Sequence, residues 1–298
     1  MMKVLEYLVC ALLLVPVLGG CVSMPAERES VLSDEGGERV TVVVVGTIHG
    51  GHNANRNYSA ERLREILVAI EPELILMELP RTKDWETKLS VARVWPYIAR
   101  KAAPNALDGW SAFAAAKDLG VAVLPYDWDE LEVVLAEQNY SAREDAACNA
   151  GERWANGQIK EYGEEADAAA RLYVNYVGGG GHGVEVNETG SAKYFNSACH
   201  DQYKQVRHLL QYDLLPRAME REKEWVHAAS ELKWLGQVWE KRTDEMVENI
   251  KDYVEMYDVE RVVVVVGATH RYNLIPAIDA LDGVEVKEYW ELIGNEYE

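Results

Sequence analysis

The 298-residue chain has fewer basic than acidic residues, with 30 Lys and Arg and 50 Asp and Glu. The formal net charge is therefore −20, and the sequence pI is about 4.8. Nucleic acids and anionic membrane surfaces repel a protein of this charge. The composition argues against both as the main partner and indicates a solvated acidic surface.

Phenylalanine and cysteine are also scarce. The two Phe stand against 16 Tyr and 9 Trp, and such amphipathic rings suit wet clefts or interfaces better than a dry interior. Of four cysteines, Cys10 and Cys21 fall in the amino-terminal segment, which leaves Cys148 and Cys199 as the pair able to form a disulfide. That bond would contribute roughly 4 kcal/mol. Two unpaired thiols fit the sequence equally well.

The amino terminus contains a short apolar stretch that ends at a cysteine. The apolar stretch Tyr7 to Leu18 is too short to span a bilayer comfortably, but it suits the core of a secretory signal. It leads to Leu-Gly-Gly-Cys at 18–21, which resembles a bacterial lipobox, in which cleavage precedes a cysteine that carries lipid. The motif predicts a signal peptide over 1–20 and acyl chains, palmitate among them, on Cys21. The alternative is an uncleaved membrane anchor.

Residues 21–38 then form the predicted tether, with a reach of roughly 23 Å. Since Val22 is not the aspartate of inner-membrane retention, the sequence favours a lipid anchor in the outer membrane facing the periplasm.

Two valine runs, 42–45 and 262–266, each end at a glycine, and a histidine follows three residues after that glycine. Such runs suit buried parallel strands, because β-branched side chains favour the pleated backbone and helices cover both faces of the sheet. Gly46 and Gly267 would permit a sharp turn. His49 and His270 should then lie past the carboxyl ends of two strands, where ligands collect in open parallel sheets.

Further segments continue the same pattern. Residues 74–77 and 121–124 are predicted as short strands that lead to Glu78 and Asp127. A helix is predicted near 275–281 and an edge strand at 284–287. A helix capped by Ser59 should bury Leu63, Ile66, Leu67 and Ile70, and another helical stretch should run over about 85–119.

These elements predict an α/β fold, with a parallel or mixed central sheet flanked by helices. We expect one domain over 39–298 with a helical insertion at about 141–230. A late helix, 231–257, carries Arg242 on its apolar stripe, where the charge needs a partner or leads into a polar cavity.

Six side chains should meet at one sheet edge, and they are His49, His52, Glu78, Asp127, Arg242 and His270. Two imidazoles and a carboxylate form a common site for zinc, manganese or cobalt, with an open position for a water molecule. No short spacing supports this metal set, since the ligands come from separate strands. The alternative is that each histidine is an ordinary turn residue bonded to backbone.

Four short motifs occur in a characteristic order along the chain. They are Gly-Thr-Ile-His at 46–49, the glutamate of ILMELP at 75–80, the helix at 239–250 and Gly-Ala-Thr-His at 267–270. In this order they resemble the pattern of the TraB/TIKI group. That group belongs to a wider set with the erythromycin esterases and the ChaN-like haem-binding lipoproteins. Its pattern maps onto Gly46 and His49, Glu78, Arg242 and Met246, and Gly267 and His270. The resemblance covers about 40–80 and 239–278.

The resemblance implies a metal-dependent peptidase or an esterase-like hydrolase that acts on a peptide or small molecule. His49, Glu78 and His270 would bind a divalent metal or polarise water directly, Asp127 would assist, and Arg242 would stabilise an oxyanion or pair with Glu78.

The alternatives are a haem-binding or small-ligand-binding lipoprotein and a site that has lost activity. The haem alternative points to His182 and His200 beside the abundant tyrosines. Each of these two histidines also reads as an ordinary loop or helix residue.

Overall fold

The computed structural model describes residues 39–81, 107–178 and 188–294. Its centre is a five-stranded sheet in which every strand pairing is parallel. The strands are β1 Val40–Thr47, β2 Leu74–Pro80, β3 Ala122–Asp127, β4 Arg261–Gly267 and β5 Val284–Lys287, in the order β3-β2-β4-β1-β5. The predicted α/β fold is confirmed, with β5 at an edge. The predicted signal peptide, Cys21, the tether and the helical stretch over 85–106 lie outside the described residues.

The valine runs form β1 and β4, two of the three interior strands, and their side chains are buried on both faces. Val43 and Val45 of β1 pack into one apolar core, and Val42 and Val44 pack into the core on the other face. Alternate residues of a strand point to opposite faces, so neither face of β1 is left for polar side chains. Polar chemistry is therefore confined to the ends of these strands.

Helices cover both faces of the sheet. They are α1 Ala60–Ile70, α2 Leu107–Leu119, α3 Leu131–Glu137, α4 Tyr140–Tyr162, α5 Ala168–Tyr173, α6 Ala192–Phe195, α7 Ala198–Leu209, α8 Leu215–Met219, α9 Val226–Met256, α10 Arg271–Asp279 and α11 Tyr289–Ile293. The Ser59 hydroxyl caps α1 by accepting from the Arg62 amide, and the four predicted apolar side chains of α1 are buried. Among the helices of the described residues, none has both the length and the apolar character needed to cross a membrane.

The insertion between β3 and β4 has an apolar core of its own. Trp154 of α4, Tyr173 of α5 and Leu215 of α8 pack there against Leu232 and Leu235 of α9. Cys148 and Cys199 are both free, so the possible disulfide is not formed. Burial raises the pKa of the Cys148 thiol to about 11.

Helix α9 joins the insertion to the sheet. Its first half lies in the insertion core, whereas Met246, Ile250 and Tyr253 of its second half lie in the core beneath the sheet. The helix begins at Val226, earlier than the predicted 231, because Ala229 already packs in the insertion core. Arg242 lies between the two halves of this helix, where its side chain reaches the carboxyl edge of the sheet.

Helix α10 begins directly after His270, whereas the sequence predicted a helix near 275–281. Its first turn is fixed by Arg271, which is fully buried and donates to the backbone oxygens of Val44 and Asn196. The guanidinium also bonds to the carboxylates of Asp201 and Glu288. Pro276 inside the helix masked this early start in the sequence.

Candidate functional site

A cluster of charged and imidazole side chains lies at the carboxyl edge of the sheet. The ends of β1, β2, β3 and β4 lead to His49, Glu78, Asp127 and His270, and α9 contributes Arg242. The structure brings all five together, through the contacts described below. The cluster arises because parallel strands end at the same edge.

Arg242 is the hub of the cluster. Its Nε and Nη2 atoms donate to Asp127 Oδ1 and Oδ2 at 2.9 and 2.7 Å, and Nη2 also donates to Glu78 Oε1 at 2.5 Å. Burial tends to lower the pKa of Arg242, but the hydrogen bond with Asp127 and the charges of Glu78 and Asp127 together outweigh it, and the pKa is raised. Asp127 is 2% exposed and also accepts from the Trp128 amide. It therefore holds Arg242 in place and presents no free oxygen to a substrate.

His270 is held neutral beside Arg242. Its ring stacks on that of Trp239 with the centroids 4.0 Å apart and the planes 3° from parallel. Arg242 Nη1 lies 3.3 Å from His270 Nε2. Because an arginine can only donate, Nε2 accepts and the ring proton is on Nδ1. Burial, followed by the Arg242 charge, lowers the pKa of His270 well below its ordinary value.

Glu78 adjoins both histidines. Its Oε1 lies 3.9 Å from His270 Nε2, and its Oε2 accepts from the Gly267 amide at 2.7 Å. A Cβ added to Gly267 would lie 2.5 Å from His49 Nε2 and 3.5 Å from Glu78 Oε2. Glycine is required here because the His49 imidazole lies directly against the backbone. This contact gives a physical reason for the glycine of the second Gly-x-x-His.

His49 is paired with Asp108, a residue that the sequence did not single out. The His49 Nδ1 atom lies 2.9 Å from Asp108 Oδ2, and Thr47 Oγ1 donates to the same oxygen at 3.4 Å. The Asp108 side chain is 6% exposed, whereas that of His49 is 51% exposed. The buried carboxylate of Asp108 therefore orients the imidazole of His49, which remains open to solvent.

The pair also sets the charge of each partner. The hydrogen bond to Asp108 is the largest influence on His49 and raises its pKa above 6.5, against the opposing effect of burial. Burial tends to raise the pKa of Asp108, but the hydrogen bond and charge of His49 and the hydrogen bond from the Gly109 amide together outweigh this, and the pKa is lowered. Asp108 is therefore ionised near neutral pH, and it favours a proton on the Nδ1 atom of His49.

His52 has a structural role. Its Nε2 accepts from the Ile48 amide at 3.2 Å, and its Nδ1 lies 2.6 Å from the carbonyl oxygen of Tyr58, to which it donates. Burial lowers the pKa of His52 to about 4, so the ring is neutral and both nitrogens are occupied. The interpretation of an ordinary turn histidine holds for this residue.

Two histidines motivated the haem alternative. His200 is 3% exposed, packs edge-on against Tyr194 and Phe195, and has its pKa lowered by burial to about 3. His182 lies outside the described residues. Haem binding stays a prediction.

The predicted metal ligands are His49, Glu78 and His270. Within 39–81, 107–178 and 188–294, no three His, Cys, Asp or Glu side chains are arranged to hold a metal. The Arg242 guanidinium donates to Glu78 and lies within hydrogen-bond distance of His270, so a cation would have to displace those contacts beside a positive charge. With Arg242 in this position, the side chains of His49, Glu78 and His270 do not fit a metal ion.

The cluster can thus offer an oriented base, His49, and a mostly buried cation, Arg242.

Comparisons of the chain with family models, with curated proteins and with solved structures gave no match in any of the three.

Proposed function

We propose that the protein is a cell-envelope hydrolase of peptide or ester bonds, in which His49 activates a water molecule. The observation that carries this proposal is the pair formed by Asp108 and His49 at 2.9 Å, because it leaves Nε2 as an oriented acceptor at the site. A general base needs this combination of a fixed tautomer and an accessible lone pair. The proposal requires no metal ion.

Water is the nucleophile in this mechanism. The Thr47 hydroxyl is buried and donates to Asp108, so it is committed to orienting the base. As the water oxygen attacks the substrate carbonyl, Nε2 of His49 takes its proton, and Asp108 stabilises the resulting imidazolium. When the intermediate collapses, the carbon–nitrogen or carbon–oxygen bond breaks and the imidazolium returns that proton to the leaving group.

Arg242 supplies positive charge where the oxyanion develops. Its side chain is 20% exposed, and Glu78 and Asp127 fix the position of the guanidinium before substrate binds. Preorganised donors of this kind contribute to catalysis because they need not reorient during the reaction. Glu78 and Asp127 are therefore positioning residues in this proposal.

The pH dependence of hydrolysis tests the proposed base. We expect kcat/KM of wild type, on panels of peptide and ester substrates, to fall with decreasing pH as His49 becomes protonated, with an apparent pKa above 6.5. Asp108→Ala removes the interaction that raises this pKa, so the acid limb should move to lower pH. Hydrolysis whose acid limb does not move in the variant would exclude Asp108 and His49 as the base pair.

Metal removal tests the competing mechanism. Purified protein dialysed against a chelator should keep its rate of hydrolysis within about twofold, because no step above depends on a bound metal. Elemental mass spectrometry of wild type and of the His49→Ala, His270→Ala double variant provides the matched measurement. Near-stoichiometric transition metal that is lost in the variant, together with loss of activity on chelation, would favour the metal-dependent alternative.

A further inference from the structure

Helix α7 carries two cations one turn apart, Lys204 and Arg207, for which the described residues provide no carboxylate partner. Ion pairs between arginines and carboxylates are common elsewhere in the described chain, at Arg62, Arg64, Arg81, Arg143, Arg217, Arg221, Arg242 and Arg271. Lys204 and Arg207 form none with any described residue. Acidic residues greatly outnumber basic ones in this chain, so two unpaired neighbouring cations are unexpected.

Both charges lie beside the same aromatic ring. Lys204 Nζ is 5.9 Å and Arg207 Cζ is 5.8 Å from the ring centroid of Tyr203. Asp201, one turn before the pair, is bonded to Arg271 and is not available to either cation. The two positive charges therefore repel each other, and no described residue provides a carboxylate to neutralise them.

Both residues are also partly removed from water. Lys204 and Arg207 are half-buried, and the Nε atom of Arg207 is buried with no hydrogen-bond partner in the described structure. Burial, and then the charge of Arg207, lower the pKa of Lys204 to about 8. A buried donor without an acceptor is costly, and such a donor usually has a water or ligand as its partner.

A second unpartnered group lies one turn away. The residue His200 is 3% exposed, and its Nδ1 has no partner among the described residues. The surface next to Tyr203 is formed by Tyr176, whose backbone oxygen accepts from the Tyr203 hydroxyl at 3.3 Å and whose side chain is 46% exposed. An exposed tyrosine side chain therefore lies next to the ring that both cations contact.

We propose that Lys204 and Arg207 form a binding site for an oxyanion, the phosphate or carboxylate group of a ligand. An arginine fork binds such a group through two parallel hydrogen bonds, and a lysine adds a compact charge. The ligand would neutralise both cations and give Arg207 Nε an acceptor. This site shares no residue with the hydrolytic cluster and does not depend on the proposed hydrolysis.

Titration with inorganic phosphate and with acetate tests the site, using the purified full chain at constant ionic strength with chloride as reference. Lys204→Gln and Arg207→Gln should each weaken phosphate binding at least about tenfold, as expected when a hydrogen bond to a charged group is lost. Lys223→Gln, at an exposed position of equal charge, should bind as wild type does. Without anion, both site variants should melt at or above the temperature of wild type, because an uncompensated charge is removed.

Vesicles of phosphatidylcholine with and without phosphatidylglycerol distinguish the two sources of a phosphate group. Sedimentation with the anionic vesicles that free phosphate reverses would identify a lipid headgroup, and phosphate binding without sedimentation would identify a soluble ligand. The proposal is overturned if phosphate, acetate and anionic vesicles all fail to bind. It is equally overturned if the Lys204→Gln, Arg207→Gln double variant binds as tightly as Lys223→Gln.

Discussion

Replacing His49 with alanine is expected to lower kcat/KM for hydrolysis by about 10²- to 10⁴-fold, the contribution usual for a positioned general base. The variant loses the only group in the proposed mechanism that takes the proton from water. Folding should be little affected, because the His49 side chain is 51% exposed and its bond is to a single carboxylate. The measurement is a steady-state rate together with a thermal melt of the same preparation.

Asp108→Asn provides a second test of the same pair. The asparagine amide can donate to Nδ1 of His49, which would leave the ring proton on Nε2 and remove the acceptor that faces the water. We therefore expect a loss of rate that approaches that of His49→Ala and is not additive with it. His227→Ala on the exposed surface of α9 serves as the matched control. If His49→Ala retains the wild-type rate, His49 is not the base and the proposed mechanism fails.

The sheet could be predicted because the valine runs are unambiguous. Segments that are apolar on both faces, end at a glycine and alternate with helical segments are typical of a buried parallel sheet. Val42 to Val45 are indeed buried alternately in the cores on the two faces. The boundaries of the insertion helices could not be predicted. Their apolar residues pack against α9 in a separate core, so the contacts that fix them are distant in sequence.

Five of the six side chains predicted at the sheet edge do lie together there, and each follows a strand or lies on an apolar helical stripe, whereas His52 is bonded to backbone. Asp108 was not predicted, because it belongs to the first turn of an Ala-rich helix and its role depends on the position of α2 beside the end of β1. The only sequence signal is an aspartate on an otherwise apolar face. The bonds of Arg242 were likewise visible only in three dimensions, although its need for a partner was clear from its position.

Arg242 should also be the residue of the cluster that matters most for stability. Arg242→Met keeps most of the side-chain volume but leaves the carboxylates of Glu78 and Asp127 buried without their cation. Removing one partner of a buried ion pair destabilises a protein by about 3–5 kcal/mol. Chemical denaturation of wild type and variant at neutral pH measures this loss.

Two further variants separate this effect from a general loss of charge. Lys241→Met removes the neighbouring cation, which is exposed and lies 4.3 Å from the ring centroid of Trp128, and should cost no more than about 1 kcal/mol. Adding Glu78→Gln and Asp127→Asn to Arg242→Met removes the uncompensated charges and should restore part of the lost stability, although not the activity. Equal stability of Arg242→Met and wild type would mean that water or another cation compensates both carboxylates. In that case Arg242 would be free to engage a substrate directly, and its contribution would appear in kcat rather than in the free energy of unfolding.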